Sequence, residues 1–143
     1  KMARKLVTKL SNRQCFTLTE KDTLKTASEK LKKYNVGVMP VLSGKDESVI
    51  GIISERDLAW NICKDTFTSS LPVSVIMTKN IISCDLNTSV TELMEIISIN
   101  KIRHVPIIEE KKLLGIVSIG DVVNHIIDQY KDENKHLRDF INQ

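Results

Sequence analysis

Two short motifs carry the residue types in this chain that could do chemistry. Ser54 is followed three residues later by Asp57, and Ser118 by Asp121, each pair directly after a β-rich run. A serine that ends a strand and opens a helix, with an acid three residues on, caps the amides of the first helical turn. The same geometry suits a ligand. Unpaired N–H groups at a helix start attract a phosphate, and two carboxylate oxygens match the adjacent hydroxyls of a ribose. The residues alone leave both readings open. Arg56 stands beside Asp57, and Arg103 and His104 precede Pro106; cations so placed would strengthen a phosphate site through charge-assisted hydrogen bonds.

Catalysis needs a nucleophile with a base, paired acids or a metal cluster, and the sequence displays none of these. No catalytic or metal-ligating residue is assigned, and the chain is expected not to be an enzyme. His104, His125 and His136 lack a partner pattern for zinc, and Asp121 with His125 at helical spacing reads as a surface contact. Cys15, Cys63 and Cys84 are odd in number and widely separated, which offers neither a disulfide framework nor a CxxC site. The expectation is a reducing cytoplasm. No apolar run reaches the length of a membrane span, and the charged start from Lys1 to Lys9 is unlike a signal peptide.

The elements that must position the motifs occur twice. A shift of 66 residues lays VGVMPVL (36–42) on IRHVPII (102–108), with Pro40 on Pro106; beyond that, a shift of 64 lays GIISERDL (51–58) on GIVSIGDV (115–122). The change of two falls in the polar stretch 43–48, a turn that tolerates length variation. Each copy reads as a strand (15–18; 81–84), a helix with apolar residues at Leu24, Ala27 and Leu31 or at Val90, Leu93 and Ile97, two β-rich runs, and a closing helix. Thr23 and Ser89 mark the helix starts, Ser89 with Glu92 at capping-box spacing. One such unit buries too little surface to be comfortable alone, so the two are expected to pack together about a pseudo-twofold axis, with a cleft on each side. The fold class is therefore α/β (α+β), two β-α-β-β-α units packed sheet to sheet.

This order of elements, with VGVMPVL before GIISERDL and IRHVPII before GIVSIGDV, resembles the cystathionine beta-synthase (CBS) domain family in its tandem form, the Bateman module. PVSVIMTKNIISC (72–84) looks like the family's opening, a short helix ending in Met-Thr; the first copy departs from it with Ser11 and Asn12. The boundaries that follow are 7–63 for the first domain, 71–127 for the second, and 128–143 for a C-terminal helix or tail. The resemblance implies that the hydroxyl residue contacts phosphate, the Asp a ribose, and apolar strand residues an adenine. Matching positions nominate Thr17, Val38, Met39 and Pro40 with Ser54, Arg56 and Asp57 for the first cleft. They nominate Ser83, Arg103, His104, Val105 and Pro106 with Ser118 and Asp121 for the second. Arg103 and His104 make the second cleft the expected stronger site.

The expected function is a regulatory or sensor module for an adenosine-type nucleotide (AMP, ADP, ATP or S-adenosylmethionine), with no obligatory cofactor and an effector protein still to be identified. The resemblance also implies a homodimer formed through helices, for which Leu58, Ile62, Val122 and Ile126 could supply the surface. Two alternatives stay open: a structural dimerisation module with empty clefts, and a nucleic-acid accessory protein using Lys1, Arg4, Lys5, Lys9 and Arg13. The net charge of +3 and the few aromatics, three Phe, two Tyr and one Trp, fit a small anion better than a duplex.

Overall fold

The computed structural model describes residues 5–142. Lys1 and Arg4 of the basic segment lie outside the described residues, as does Gln143. The first copy comprises α1 (Leu6–Leu10), β1 (Leu18–Thr19), α2 (Leu24–Tyr34), β2 (Val38–Leu42), β3 (Val49–Ser54) and α3 (Glu55–Asn61). The second has a 3-10 turn (Val73–Val75), α4 (Val90–Asn100), β4 (His104–Glu109), β5 (Lys112–Ser118) and α5 (Ile119–Ile141). The chain is thus a mixed α+β fold of two related units, as the repeat required. Among the described residues no helix is long and apolar enough to cross a membrane.

In the first sheet β1 lies parallel to β2 and β3 antiparallel to it. The second sheet pairs β4 with β5, and the strand expected at 81–84 reduces to a parallel bridge between Cys84 and Ile107. The reason is local. The Asp85 side chain accepts from the Asn87 amide at 2.8 Å, an Asx turn that leads the chain away directly after Cys84. Both connecting helices start as their sequence predicts: the Thr23 hydroxyl accepts from the Thr26 amide and the Ser89 hydroxyl from the Glu92 amide. Both also end on a left-handed residue, Asn35 and Lys101, which turns the chain into the next strand.

Each copy finishes the other's core. Val73, from the opening of the second copy, is fully buried among Leu18, Leu24, Ala27, Met39, Val41 and Ile53 of the first. Leu6 and Val7 of α1 do the reverse, packing with Leu93, Ile97, Val105, Ile107 and Val117 of the second. After this crossing, Thr78 exchanges both backbone hydrogen bonds with Ile52, at 2.9 and 3.0 Å. The exchange depends on glycine. The Met77 side chain lies across Gly51 and the Leu10 carbonyl across Gly115, so that a Cβ on Gly115 would sit 2.9 Å from that oxygen.

Two details differ from the sequence expectation. The C-terminal stretch is not a separate element, because α5 runs unbroken through residue 128; neither glycine nor proline occurs from Asp121 to Ile141 to stop it. Val122 is not an exposed docking residue: it is 2% exposed and belongs to the second core, while Leu58 leans on the first. Ile62 and Ile126 do reach the surface.

Gly115→Ala is expected to destabilise the fold by about 2 kcal/mol, since a backbone oxygen cannot step aside. Gly51→Ala should cost less, because what it displaces is the unbranched Met77 side chain, from Cγ to Cε, which can change rotamer. Urea midpoints of the two variants check this order.

Candidate functional site

Because the opening segments are exchanged, each Ser/Asp motif faces residues of the other copy. The larger cleft, about 590 Å³, is lined by Ser54, Glu55, Arg56 and Asp57 at the start of α3, with Gly37, Val38, Ile52 and Ala59. Across from them the second copy supplies Thr78, Asn80, Ile81 and Ile82 from its opening, then Lys101, Ile102, Arg103, His104 and Pro106. A second, smaller cleft of about 380 Å³ is its counterpart: Ser118 and Asp121 face Arg13, Gln14, Cys15 and Phe16, with Asn35, Val36, Gly37, Val38, His104 and Ile116.

The capping boxes are fully formed at both motifs. The Ser54 hydroxyl accepts from the Asp57 amide at 3.1 Å, and one Asp57 oxygen accepts from the Ser54 amide at 2.9 Å. Ser118 and Asp121 repeat this at 3.0 and 2.8 Å. Capping therefore uses one oxygen of each carboxylate, and what meets the other separates the clefts. The second oxygen of Asp57 has no hydrogen-bond partner among the described residues. Asp121 is filled: the Arg13 guanidinium donates to its two oxygens at 3.0 and 2.8 Å and to the Ile116 carbonyl at 3.0 Å. This bidentate pair is the one ion pair among the described residues. Burial pushes the Asp121 carboxyl up, but hydrogen bonds from Arg13 and Ser118 and the charge of Arg13 outweigh it and hold the group below its ordinary 3.8.

Charge divides in the same way. Arg56, Lys101 and Arg103 bring three cations to the larger cleft against Glu55 and Asp57, whereas in the smaller one Arg13 and Asp121 neutralise each other. Apolar walls differ too. Ile81 and Ile82 line the larger cleft, but Phe16, the counterpart of Ile82, is stacked on Tyr34 with ring centroids 3.8 Å apart. Burial at Cys15 raises its thiol to about 11, which keeps it protonated. Arg56 also lies 5.3 Å over the Trp60 ring, so an exposed fluorophore reports on a cleft residue.

His104 lines both clefts. Burial, which the charge of Arg103 reinforces, pulls its pKa below the ordinary 6.5 against the opposing carboxylates of Asp121 and Glu55. Its ring sits beside Gly37, where an added Cβ would come within 3.6 Å of it and 3.2 Å of Glu55.

The nominated residues therefore regroup. The larger cleft holds Val38, Ser54, Arg56, Asp57, Arg103, His104 and Pro106; the smaller holds Val38, His104, Ser118 and Asp121. Arg103, expected with Ser118 and Asp121, lines the larger cleft with Ser54 and Asp57, although its carbonyl still accepts from the Ile119 amide beside Ser118. Met39, Pro40 and Val105 line neither cleft: Met39 and Val105 are strand residues turned into the cores, and Pro40 is buried on the other face of its strand. Thr17 and Ser83 also lie outside both. Arg13, Lys101, Asn80 and the Ile81–Ile82 wall were missed; the 66-residue shift that pairs Arg13 with Lys79 and Asn35 with Lys101 held the signal. Arg13 is engaged with Asp121 and the Lys5 amine with the Asn87 carbonyl, so two cations of the expected nucleic-acid segment serve the fold instead. No group of three or more His, Cys, Asp or Glu side chains among the described residues could hold a metal ion.

Comparison with known proteins gives this geometry a family setting. The family model described as "CBS domain" matches twice, at residues 7–63 and 73–128. The Arabidopsis thaliana mitochondrial CBS domain-containing protein CBSX3 is 35% identical over 127 residues, which cover 86% of this chain and 62% of that protein, so the chain spans about three fifths of that relative. A crystal structure of a CBS-domain protein from Agrobacterium tumefaciens superimposes with a TM-score of 0.74 at 35% identity, covering 83% of this chain and 88% of that one. Two further structures share the fold at lower identity. One is the CBS domain pair of MJ0100 in complex with 5-methylthioadenosine and S-adenosyl-L-methionine (TM-score 0.77, 21% identity, 89% and 99% covered). The other is CBSX2 in complex with AMP (0.76, 20%, 90% and 99%). A likeness to the inosine-5'-monophosphate dehydrogenase of Staphylococcus aureus, 28% identical, covers 85% of this chain but 25% of that enzyme.

The His104 shift has a pH consequence. Below pH 6.5 the unfolded chain takes up a proton that the half-buried ring resists, so stability should be full above 6.5 and decline as the pH falls toward the lowered folded value. Urea midpoints at several pH values between 7.5 and 5 should show this slope, and His104→Gln should flatten it.

Proposed function

The chain belongs to the CBS-domain family and carries two of its domains in tandem, and from that premise we propose that it is a regulatory module binding one adenosine-type nucleotide in the larger cleft. The observation that carries this reading is the Asp57 oxygen that capping leaves without a partner, in a cleft that Lys101 and Arg103 also line, while its counterpart Asp121 is occupied by Arg13. Each ligand part has a matching surface. Ile81, Ile82, Val38 and Pro106 offer apolar walls for an adenine; Asp57 offers an acceptor for ribose hydroxyls; Arg56, Lys101 and Arg103 offer charge-assisted donors for phosphate. The ligands named for MJ0100 and CBSX2, a sulfonium nucleoside and a nucleoside monophosphate, support this class. The three cations favour the phosphorylated one.

Such a ligand would touch both copies at once, and therefore favours the arrangement in which they stand closest. It shifts that equilibrium only by its difference in affinity between the open and closed arrangements. His104 lies between the clefts and feels Asp121, the N3 residue of α5. A change in the larger cleft thus has a short route to the longest helix of the chain.

Calorimetric titration with AMP, ADP, ATP and S-adenosylmethionine tests the reading. The parent chain should bind AMP with one site per chain, and Asp57→Asn should weaken it by about tenfold or more, the worth of a charged hydrogen bond. Arg13→Gln should leave that site intact and add a second, weaker one at Asp121. If none of the four ligands binds at millimolar concentration, or if Asp57→Asn binds as the parent does, the assignment is wrong.

A further inference from the structure

Among the described residues nothing covers the second half of α5. From Asp128 to Asn142 every residue except Asn134 is exposed, although a helix of this length is marginal in water without support. Its exposed apolar residues, Phe140 at the flank apart, are ordered. Val123, Ile127, Tyr130, Leu137 and Ile141, with the polar Asn134 among them, follow one another at spacings of four, three, four, three and four, the a/d seam of a heptad repeat. Ile127, Asn134 and Ile141 take the a positions; Val123, Tyr130 and Leu137 take d. Ile127 is 44% exposed, Tyr130 64%, Leu137 59% and Ile141 77%. The outward positions, His125, Asp128, Gln129, Asp132, Lys135, His136 and Asp139, are all polar.

We propose that this half of α5 pairs with the same helix of a second copy as a parallel two-stranded coiled coil. The charges flanking the seam choose both partner and direction. In the parallel arrangement Glu133, at g, meets Arg138 of the partner subunit, at e, once on each side of the pair. In the antiparallel one, g faces g and e faces e, which sets Glu133 against Glu133 of the partner subunit and Lys131 against Lys131 of the partner subunit. Parallel pairing also brings the two Asn134 amides together across the seam, where they can hydrogen-bond; a single Asn at a fixes register and favours two strands. The seam runs barely three heptads, short for an autonomous coiled coil, so its contact must continue onto the body. Exposed Ile119, Val123 and Ile126 extend it there.

This surface shares only Ile126 with the pairing expected through Leu58, Ile62, Val122 and Ile126, and it does not depend on the nucleotide reading. It fixes the orientation of the two modules, with both α5 helices leaving in the same direction. Sedimentation equilibrium of the full chain and a crosslinking test decide it. The parent should be a dimer, Glu133→Arg should weaken dimerisation about tenfold, and adding Arg138→Glu should restore it. With Cys63→Ser removing the exposed thiol, Leu137→Cys should oxidise to a disulfide-linked dimer, since only parallel pairing sets position 137 opposite itself. Circular dichroism confirms that each variant is folded. A monomeric parent, a dimer indifferent to Glu133→Arg, or failure of Leu137→Cys to crosslink overturns the proposal.

Discussion

The burial of Val73 in the first copy's core, and of Leu6 and Val7 in the second's, is the contact on which the rest of the molecule depends. Neither unit closes its own core, so neither can be removed without opening a cavity in the other. The crossing also fixes where the following residues go. Once Val73 is seated, Thr78 must run beside Ile52, and Asn80, Ile81 and Ile82 arrive opposite Asp57. Gly51 and Gly115 leave the space for it. A composite cleft is the geometric result of an exchanged core.

Duplication makes the two clefts alike in plan, and a few side chains make them unlike in chemistry. Both keep a complete capping box, so neither motif was freed from structural duty in order to bind. What differs is the occupant of the second carboxylate oxygen. At Asp121 a bidentate arginine supplies the donors that ribose hydroxyls would otherwise bring, and the stacked Phe16 and Tyr34 take the apolar surface. At Asp57 the matching basic residue is Lys79, which does not line the cleft, and Lys101 and Arg103 face the open space. Lys101 sits there in the left-handed region, at φ 53°, where a lysine is less comfortable than the asparagine of the first copy. Backbone strain of that kind is often found at functional positions.

Much of this was legible in the sequence. The repeat, the order of elements, the caps at Thr23, Ser54, Ser89 and Ser118, and the family resemblance all follow from local pattern, because each depends on residues within one helical turn or one strand. The grouping of the clefts did not. Arg103 reads as a neighbour of Ser118 in the hairpin register, and its backbone is one, but the residue also lines the cleft of Asp57, which residues of both copies build. Motif position draws Met39 and Val105 toward the ligand, although strand alternation turns them into the cores, while Pro40, on the opposite face from Met39, is buried outside both clefts. The Arg13–Asp121 pair spans 108 residues, and no local pattern announces a contact of that range. The continuity of α5 was written in its lack of glycine and proline.

The central claim is that the ligand site is shared between copies and lies at Asp57 rather than Asp121. A crystal structure of the chain with bound AMP tests it most directly. The account predicts density for the nucleotide in the larger cleft, within hydrogen-bond distance of Asp57 from one copy and of Lys101 or Arg103 from the other, with the Arg13–Asp121 pair intact. A nucleotide seated at Asp121 with Arg13 displaced, or one contacting residues of a single copy, would contradict it.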